Sequence, residues 1–135
     1  MTLRLDITTP EANVFSDDVD MVVVPGIEGE LGILPQHIPL MTTLKPGALK
    51  VTKQGHDTLL AVGEGFVEVL PDRVSVLTDM AIEEKQIDEV AVEAAIERAR
   101  QAMREPNLSG EEIATVEASL RKSLVQLRVK RRQQA

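Results

Sequence analysis

The spacing of apolar residues changes near residue 83, and this change constrains the fold more than any other feature of the sequence. Leu3, Leu5 and Ile7 alternate with polar residues, as the residues of a half-buried strand do. After residue 83, apolar residues recur every three to four positions, as amphipathic helices require. The sequence therefore predicts a β-strand unit over residues 1–83 and a helical unit over residues 84–135.

The first unit divides into short strands separated by turn residues. Residues 67–69 and 74–78 alternate on either side of the turn Leu70-Pro71-Asp72-Arg73, which predicts a hairpin. Strands spaced about ten residues apart with such turns are typical of an antiparallel sandwich or a flattened barrel. Further strands are predicted at 19–24, 31–34, 47–53 and 58–62.

The first helix is predicted over residues 87–103, because apolar residues recur there at helical spacing and Pro106 follows. Its many alanines predict close packing against a second helix. The predicted apolar positions are Ile87, Val90, Ala91, Ala94, Val92, Ile96, Ala99 and Met103.

A second helix is predicted to start at Ser109-Gly110-Glu111-Glu112, which has the S-x-x-E pattern of a capping box. With a short connection between them, the two helices fold back as an antiparallel hairpin. Such a pair has little core of its own, so it must rest on the sandwich, on a partner chain, or on each at different times. The apolar stripe predicted for the second helix is Ile113, Val116, Leu120, Leu124 and Leu127.

Charge is distributed unevenly along this chain, whose formal net charge is −7. Nucleic acid is disfavoured as a partner, since phosphate binding needs a basic surface and stacking on bases needs aromatic residues. Residues 121–135 nevertheless hold six bases and no acid. The dipole of a helix C-terminus would explain one or two bases, whereas six predict a surface for an acidic partner. The six bases are Arg121, Lys122, Arg128, Lys130, Arg131 and Arg132.

Residues 29–40 read GELGILPQHIPL and could form a phosphate loop, a metal site or a folding device. A phosphate loop would need a glycine-rich turn that opens a helix, which the two prolines interrupt. A metal site at His37 would lack a second histidine outside a turn. The pattern favours a folding device, in which Gly29 and Gly32 allow unusual backbone conformations and the prolines fix bends.

No catalytic group, metal site or cofactor site is predicted. The chain has no cysteine, and no nucleophile, histidine or metal cluster accompanies the acidic pairs at 17–18 and 83–84, so these pairs are expected to be solvated. The GEGF stretch at 63–66 predicts a strand bend rather than a ligand loop. The longest apolar runs are far shorter than the roughly 20 residues that a membrane span needs.

Four motifs in order resemble one protein family. They are GELGILPQHIPL at 29–40, LKPGALKV at 44–51, VGEGFVEVLPDRVSVLTDMA at 62–81 and LVQLRVKRR at 124–132. Together they closely resemble the epsilon subunit of bacterial F-type ATP synthases, which is called delta in mitochondria. The resemblance implies an α+β fold in two parts, with an antiparallel β-sandwich of about ten strands followed by an antiparallel two-helix hairpin.

The resemblance also implies a role without catalysis. Such a subunit is present once per complex in the central stalk, where it turns with the rotor and couples the gamma subunit to the c-ring during proton-driven ATP synthesis. It meets the membrane only through the complex, at the cytoplasmic face of the bacterial inner membrane. In the family the GELG loop lies towards the polar loops of the c-ring, so Glu30 is the expected contact. Gly29, Leu31 and His37 are expected on the same c-ring and gamma side.

The hairpin of this family implies regulation of ATP hydrolysis. It can lie beside the sandwich or extend along gamma into the ring of alpha and beta subunits, where it blocks hydrolysis. Its basic final helix faces an acidic segment of the beta subunit, which matches the basic end of this chain. The resemblance carries over most readily to Arg121, Lys122 and Arg128, and beyond them to Lys130, Arg131 and Arg132.

Some relatives in the family bind ATP on the folded hairpin through an I/L-D-x-x-R-A motif. Here Ile87 and Asp88 match the motif, but Ala91 and Val92 stand where Arg and Ala are expected. The missing guanidinium removes a charge-assisted contact to phosphate, so weak or no ATP binding is expected. The alternative functions are a nucleotide-binding sensor whose hairpin clamps ATP, and an unrelated enzyme built on a similar sandwich.

Overall fold

Ten strands precede two helices in the computed structural model, which describes residues 1–134, so that Ala135 lies outside the described residues. The predicted fold class, an antiparallel β-sandwich followed by a two-helix hairpin, is confirmed. Within the described range, no helix is both long enough and apolar enough to cross a membrane. The strands are β1 (Leu3–Thr8), β2 (Asn13–Val19), β3 (Met21–Gly26), β4 (Gly29–Ile33), β5 (Leu40–Leu44), β6 (Gly47–Lys53), β7 (His56–Val62), β8 (Gly65–Val69), β9 (Arg73–Thr78) and β10 (Ala81–Glu83). A 3-10 turn (Glu84–Gln86) leads to α1 (Glu89–Ala102) and α2 (Gly110–Gln134).

The strands form one hydrogen-bonded sheet that folds over on itself. Its order is β10-β7-β6-β3-β5-β8-β9-β1-β2, with β4 paired to β3. The paired strands are antiparallel except β1 and β9, which run parallel. The two halves meet where β2 approaches β6. There Lys53 Nζ lies 2.6 Å from Asp17 Oδ2, and the Asp20 amide donates to the Thr52 carbonyl at 2.9 Å. These contacts close the sheet into a flattened barrel.

Alternating aliphatic side chains fill the inside of the sandwich. In β1, Leu3, Leu5 and Ile7 are at most 2% exposed, whereas the polar residues between them are more accessible, as the two-residue period predicts. Burial of this aliphatic surface is the main stabilising contribution to the sandwich. The core consists of Leu3, Leu5, Ile7, Val19, Val22, Val24, Ile33, Leu44, Leu49, Val51, Leu60, Val62, Val67, Val69, Val74 and Val76.

The helical hairpin lies against the outside of the sandwich, where α2 packs on β6 and β7. It has a hydrophobic cluster of its own, separate from the sandwich core. This hairpin cluster consists of Ala61, Ile87, Val92, Ile96, Val125 and Val129. Ala61 is the one fully buried strand residue in this cluster, and four partly buried side chains of the sandwich also pack against it: Ala48, Leu59, Met80 and Ile82.

Three strands differ from the sequence prediction. The sequence pattern does not indicate β2, β5 or β10, and the strand predicted at 19–24 divides at Asp20 between β2 and β3. Only Val19 is buried in β2 and only Leu44 in β5, so neither strand carries the alternation that marks a half-buried strand. The predicted β8–β9 hairpin is confirmed, with Val67 opposite Val76.

Both helices form where the sequence predicts them, but they turn different faces inward. Val90 is 76% exposed and Ala91, Ala94 and Met103 are also exposed. Of the predicted positions, only Ile87, Val92, Ile96 and Ala99 are buried. In α2, Leu124 is 40% exposed, while Val125 and Val129 are buried against the sandwich. The predicted stripe is only half-buried, because α2 contacts both α1 and β7 and so needs two apolar faces.

The GELG stretch folds partly as predicted. Gly29 has φ +126°, a conformation that favours glycine. Gly32 does not share this property: it lies in β4, and a Cβ there would stand 3.2 Å from Met21 Cε, so its role is to leave space. Within residues 29–40, the second residue with positive φ is Gln36, at φ 69°. The unusual backbone is therefore at positions 29 and 36, not at 29 and 32.

Candidate partner-binding surfaces

The first candidate surface surrounds Glu30 at the end of the sandwich formed by β3, β4 and β5. Gly29 opposite Gly26 and Glu30 opposite Pro25 close the β3–β4 hairpin, which leaves both Gly29 and Glu30 exposed. A shallow groove follows this hairpin, and Leu31 packs half-buried between the groove and the core. The groove is lined by Gly26, Glu28, Gly29, Glu30, Leu31, Leu40 and Thr42.

Large apolar side chains are exposed around the same segment. Ile27, Leu34, Ile38 and Met41 are 58%, 57%, 76% and 65% exposed. His37 is half-buried among them, and its Nδ1 lies 2.7 Å from the Ile38 carbonyl oxygen. Because a carbonyl oxygen only accepts, this contact requires the proton on Nδ1. Clustered exposed apolar side chains with acidic neighbours are typical of a protein interface.

A second apolar surface lies on the outside of β8 and β9, and the sequence reasoning did not identify it. Phe66 and Leu77 are paired across the two strands and are 57% and 55% exposed. They line a groove together with Thr8, Pro10 and neighbouring residues. The signal was present in the sequence: Val67 and Val69 occupy the inward positions of β8, so Phe66 must point outward.

The six bases of α2 divide into two faces. Lys122, Lys130 and Arg131 each lie within 4.0 Å of a carboxylate on the sandwich, the 3-10 turn or α1. Arg121, Arg128 and Arg132 form no ion pair within residues 1–134, and all three are exposed. We call the first set the inner bases and the second set the outer bases.

The inner bases hold the middle and the C-terminal end of α2 to the rest of the chain. Near the middle of the helix, Lys122 Nζ lies 3.9 Å from Asp79 Oδ2, with both side chains about half exposed. Near its end, Lys130 Nζ lies 3.2 Å from Glu84 Oε1 and donates to the Glu84 carbonyl at 3.3 Å. The side chains of Lys130 and Glu84 are only 19% and 15% exposed, the least exposed of the ion pairs in the described residues.

Arg131 joins the end of α2 to the start of α1. Its Nε donates to Glu89 Oε1 at 3.1 Å, and its Nη2 donates to Glu93 Oε1 at 2.9 Å. The hydrogen bond to Glu89, followed by the charges of Glu89 and Glu93, raises the pKa of Arg131 above its ordinary value. We call Glu84, Glu89, Glu93, Lys130 and Arg131 the C-terminal ion-pair cluster.

The Ile87–Asp88 pair of the degenerate ATP motif lines a groove between α1 and α2. The Asp88 carboxylate accepts a hydrogen bond from the Ala91 amide at 3.2 Å, so it serves as the N-cap of α1. The lining residues are Ile82, Gln86, Ile87, Asp88, Ala91, Val92, Ala95, Ser123 and Gln126. Since the charged side chain in this lining is an acid, the groove is ill suited to triphosphate.

The acidic pairs predicted to be solvated differ in exposure. Asp17 and Asp18 stay 43% and 63% exposed, and they pair with Lys53 on β6 and with Arg4, which is opposite Asp18 on β1. Glu83 and Glu84 are only 21% and 15% exposed and pair with Lys85 and Lys130, so the prediction is wrong for this pair. In the described part of the chain, no group of three or more His, Cys, Asp or Glu side chains could hold a metal ion.

The structure therefore does not bring all predicted site residues together. Gly29, Glu30, Leu31 and His37 lie on or beside β4, whereas the six bases lie on α2. Arg121 and Lys122 line a separate small cavity with Pro46, Gly63, Glu64 and Asp79. Two surfaces on two structural parts are typical of a protein that binds more than one partner.

Comparison with known proteins shows a family match over nearly the whole chain. Residues 2–84 match the family model for the beta-sandwich domain of the ATP synthase delta/epsilon chain, and residues 85–131 match that for its long alpha-helix domain. An ATP synthase epsilon chain of Dehalococcoides mccartyi is 48% identical over 127 residues, covering 94% of this chain and 91% of that one. An ATP synthase epsilon chain of Herpetosiphon aurantiacus is 46% identical over 129 residues, covering 96% and 94%.

Solved structures share the fold. A chain of the mitochondrial ATP synthase of Euglena gracilis, in a structure of OSCP, F1 and c-ring, matches with a TM-score of 0.66 and 23% identity over 96% of this chain and 78% of that one. A chain from the central stalk and c-ring of the Tetrahymena thermophila mitochondrial ATP synthase matches with a TM-score of 0.57 and 15% identity, over 100% and 98%.

Proposed function

The chain belongs to the ATP synthase delta/epsilon family, and we propose that it is a central-stalk rotor subunit that couples gamma to the c-ring and inhibits ATP hydrolysis through its C-terminal helices. It is present once per complex and has no catalytic site of its own. One observation carries this proposal: a sandwich with its own core presents exposed apolar surfaces, while a basic hairpin with a separate hydrophobic cluster packs on its outside.

The sandwich provides the coupling surfaces in this proposal. Glu30 is the contact to the polar loops of the c-ring, with Gly29, Leu31 and His37 beside it. Phe66 and Leu77, or the apolar side chains from Ile27 to Met41, cover the area that a gamma subunit needs to bury. Contact with the membrane is indirect, through the complex at the cytoplasmic face of a bacterial inner membrane.

The hairpin provides the inhibitory surface. All six bases lie on α2, and the outer bases Arg121, Arg128 and Arg132 follow one another at intervals of seven and four residues, which places them on one face of the helix. Such a face fits an acidic segment of a beta subunit. The alpha subunits, which alternate with beta in the same ring, are the neighbouring partners of the C-terminal helices. The division of the chain into a sandwich domain (1–83) and a hairpin domain (84–135) is part of this proposal.

Charge reversal on α2 tests the inhibitory role. We expect Arg121→Glu/Lys122→Glu to raise ATP hydrolysis by the reassembled complex, because two attractions to an acidic surface become repulsions. The matched control is Arg98→Glu/Arg104→Glu, which reverses two exposed bases outside α2. Unchanged hydrolysis in the first variant, or equal increases in both, removes the inhibitory role.

A substitution at the sandwich tests the coupling role. We expect Glu30→Lys to lower ATP-driven proton pumping while ATP hydrolysis continues, since the change would disturb the contact between sandwich and c-ring without touching the catalytic subunits. Glu28→Lys is the control, because Glu28 lies in the same groove but outside the predicted contact. Normal pumping with Glu30→Lys would contradict the proposed contact.

A nucleotide-sensing role receives no support from the geometry. Ala91 is exposed at the groove that holds Ile87 and Asp88, so a residue at position 91 could reach a bound phosphate, but an alanine offers no charge. The role of the hairpin is therefore assigned to protein contacts.

A further inference from the structure

The carboxylates of the C-terminal ion-pair cluster compete with any outside acidic surface for two of the inner bases, Lys130 and Arg131. Lys130 and Arg131 already have three carboxylates within 3.2 Å, from Glu84, Glu89 and Glu93. Each N–H group that donates to one of these carboxylates is unavailable to a carboxylate of a partner. The two faces of α2 therefore differ in availability while the hairpin is folded.

The position of the cluster determines what its opening would release. Glu84 lies in the 3-10 turn that connects the sandwich to α1, and Lys130 contacts both its carboxylate and its carbonyl oxygen. Arg131 ties the first turns of α1 to the last turns of α2. The attachment beyond this cluster consists of the hairpin cluster around Val125 and Val129, the hydrogen bond from Gln126 to Met80 Sδ, and the half-exposed Lys122–Asp79 pair.

We propose that the C-terminal ion-pair cluster is a latch: Lys130 and Arg131 bind Glu84, Glu89 and Glu93 when the hairpin is folded, and an acidic protein surface binds these same two residues only when the hairpin opens. The partner chemistry is a run of carboxylates, such as an acidic helix. The proposal deepens the inhibitory role proposed above and rests on it for the identity of the partner. The latch itself is a property of the isolated chain.

The outer bases give the latch a stepwise order. Arg121, Arg128 and Arg132 are exposed without an acidic partner in the described residues, so they make the first contact with an acidic surface at no cost to the fold. Once the acidic surface is near, it competes for Lys130 and Arg131. Binding therefore favours opening, and opening completes the binding surface.

Hydrogen exchange of the isolated full chain tests the latch without any partner. We expect Lys130→Ala to raise the exchange rates of amides near Val125 and Val129 about 5-fold, because the partly buried Glu84 carboxylate loses its partner. Amides of β1 and β9 should keep their rates. Arg128→Ala is the matched control, since it removes the same kind of charge from the same helix but breaks no ion pair, and it should leave all rates unchanged.

A charge swap distinguishes pairing from a general loss of stability. The single variant Lys130→Glu places two negative charges together, whereas Lys130→Glu/Glu84→Lys restores opposite charges in exchanged positions. The double variant should bring the α2 exchange rates at least halfway back from those of Lys130→Glu to those of the unaltered chain. Equal rates for Lys130→Ala and Arg128→Ala, or no recovery in the swap, overturn the latch.

A poly-glutamate peptide of about 20 residues serves as the acidic probe for the coupled step. Glu84→Gln frees Lys130 while keeping every base, so this variant should bind the peptide about 5-fold more tightly than the unaltered chain. Equal affinities overturn the coupling of opening to binding. The assembled complex then separates the two proposals: if Glu84→Gln opens the hairpin and binds the peptide but leaves ATP hydrolysis unchanged, the latch stands and the inhibitory role fails.

Discussion

Gly65 lies so close to Leu77 that position 65 has no room for a side chain. A Cβ at Gly65 would stand 1.8 Å from the Leu77 carbonyl oxygen and 2.8 Å from its carbonyl carbon, and both are backbone atoms that cannot rotate away. We expect Gly65→Ala to lower the free energy of unfolding by about 2–3 kcal/mol, because β8 and β9 must separate locally. Chemical denaturation of the full chain measures this change.

Gly110→Ala is the control for the glycine prediction. Gly110 opens α2, and nothing lies within 4 Å of a Cβ placed there. Alanine favours a helix over glycine, so stability should be unchanged or rise by up to about 1 kcal/mol. Similar losses in both variants would show that the close approach of β8 to β9 is not what requires glycine at position 65.

The N-terminus of α2 supplies a second prediction. The predicted capping box is confirmed: Ser109 Oγ accepts from the Glu112 amide at 3.1 Å, and Glu112 Oε1 accepts from the Ser109 amide at 3.3 Å. We expect Ser109→Ala to destabilise the hairpin by about 1 kcal/mol and to increase exchange of the first α2 amides. Ser119→Ala, an exposed site inside the same helix, should leave that exchange unchanged.

Local patterns predict those elements whose burial is regular. The β8–β9 hairpin was predictable because Val67, Val69, Val74 and Val76 alternate on both sides of a turn. Strand β5 was not, because it runs LMTTL with only Leu44 fully buried, and its place in the sheet is set by pairing with β8. Long-range pairing of this kind leaves no periodic signal in the sequence.

The ion pair between Asp17 on β2 and Lys53 on β6 supplies a pH-dependent prediction. The hydrogen bond from Lys53, with the Asp18 amide and the nearby positive charges, lowers the pKa of Asp17 below its ordinary 3.8. As the pH falls below that value, the unfolded chain takes up a proton at Asp17 before the folded chain does. The contribution of this pair to stability is therefore present above about pH 4 and is lost as the pH falls through the folded pKa.

Paired substitutions measure this contribution. We expect both Asp17→Asn and Lys53→Ala to reduce the loss of stability between pH 4 and pH 2. The first variant removes the carboxylate whose pKa is lowered, and the second removes the hydrogen bond that lowers it most. The double variant should behave like either single variant. If Asp17→Asn loses as much stability between pH 4 and pH 2 as the unaltered chain does, other carboxylates account for that loss.

The candidate site was predictable in composition but not in geometry. In an antiparallel hairpin the start of the first helix faces the end of the second. The start of α1 carries acids (Glu89 and Glu93) and the end of α2 carries bases (Lys130 and Arg131), so pairing between these two ends could have been inferred. Which bases point inward could not, because that depends on how Val125 and Val129 pack against β7. Packing of the helix on the sheet, rather than charge, divides inner from outer bases.

The groove at Ile87 and Asp88 supplies a prediction about ATP. We expect calorimetry with the isolated chain to detect weak or no ATP binding, since no base lines this groove. Ala91→Arg introduces a guanidinium at an exposed lining position and should strengthen ATP binding about 10-fold or more. Ala94→Arg, exposed on the same helix outside the groove lining, is the control. Micromolar binding by the unaltered chain would contradict the prediction.

The separate hydrophobic cluster of the hairpin supplies the last prediction. Val129 is 1% exposed and packs in the hairpin cluster, whereas the sandwich core has no member from either helix. We expect Val129→Ala to weaken the attachment of the hairpin by about 2 kcal/mol, through lost burial and the cavity left behind. Val90→Ala makes the same chemical change at a site that is 76% exposed, and it should have little effect.

Hydrogen exchange shows whether the two parts of the chain respond separately to Val129→Ala. If the hairpin opens as a unit of its own, amides of α2 should exchange faster while those of β1 and β9 in the sandwich keep their rates. A latch that releases the hairpin requires this independence, because an arm that unfolds only with the sandwich could not open in the folded protein. If β1 amides accelerate as much as those of α2, the chain is one cooperative unit, and the proposed division at residue 83 is wrong.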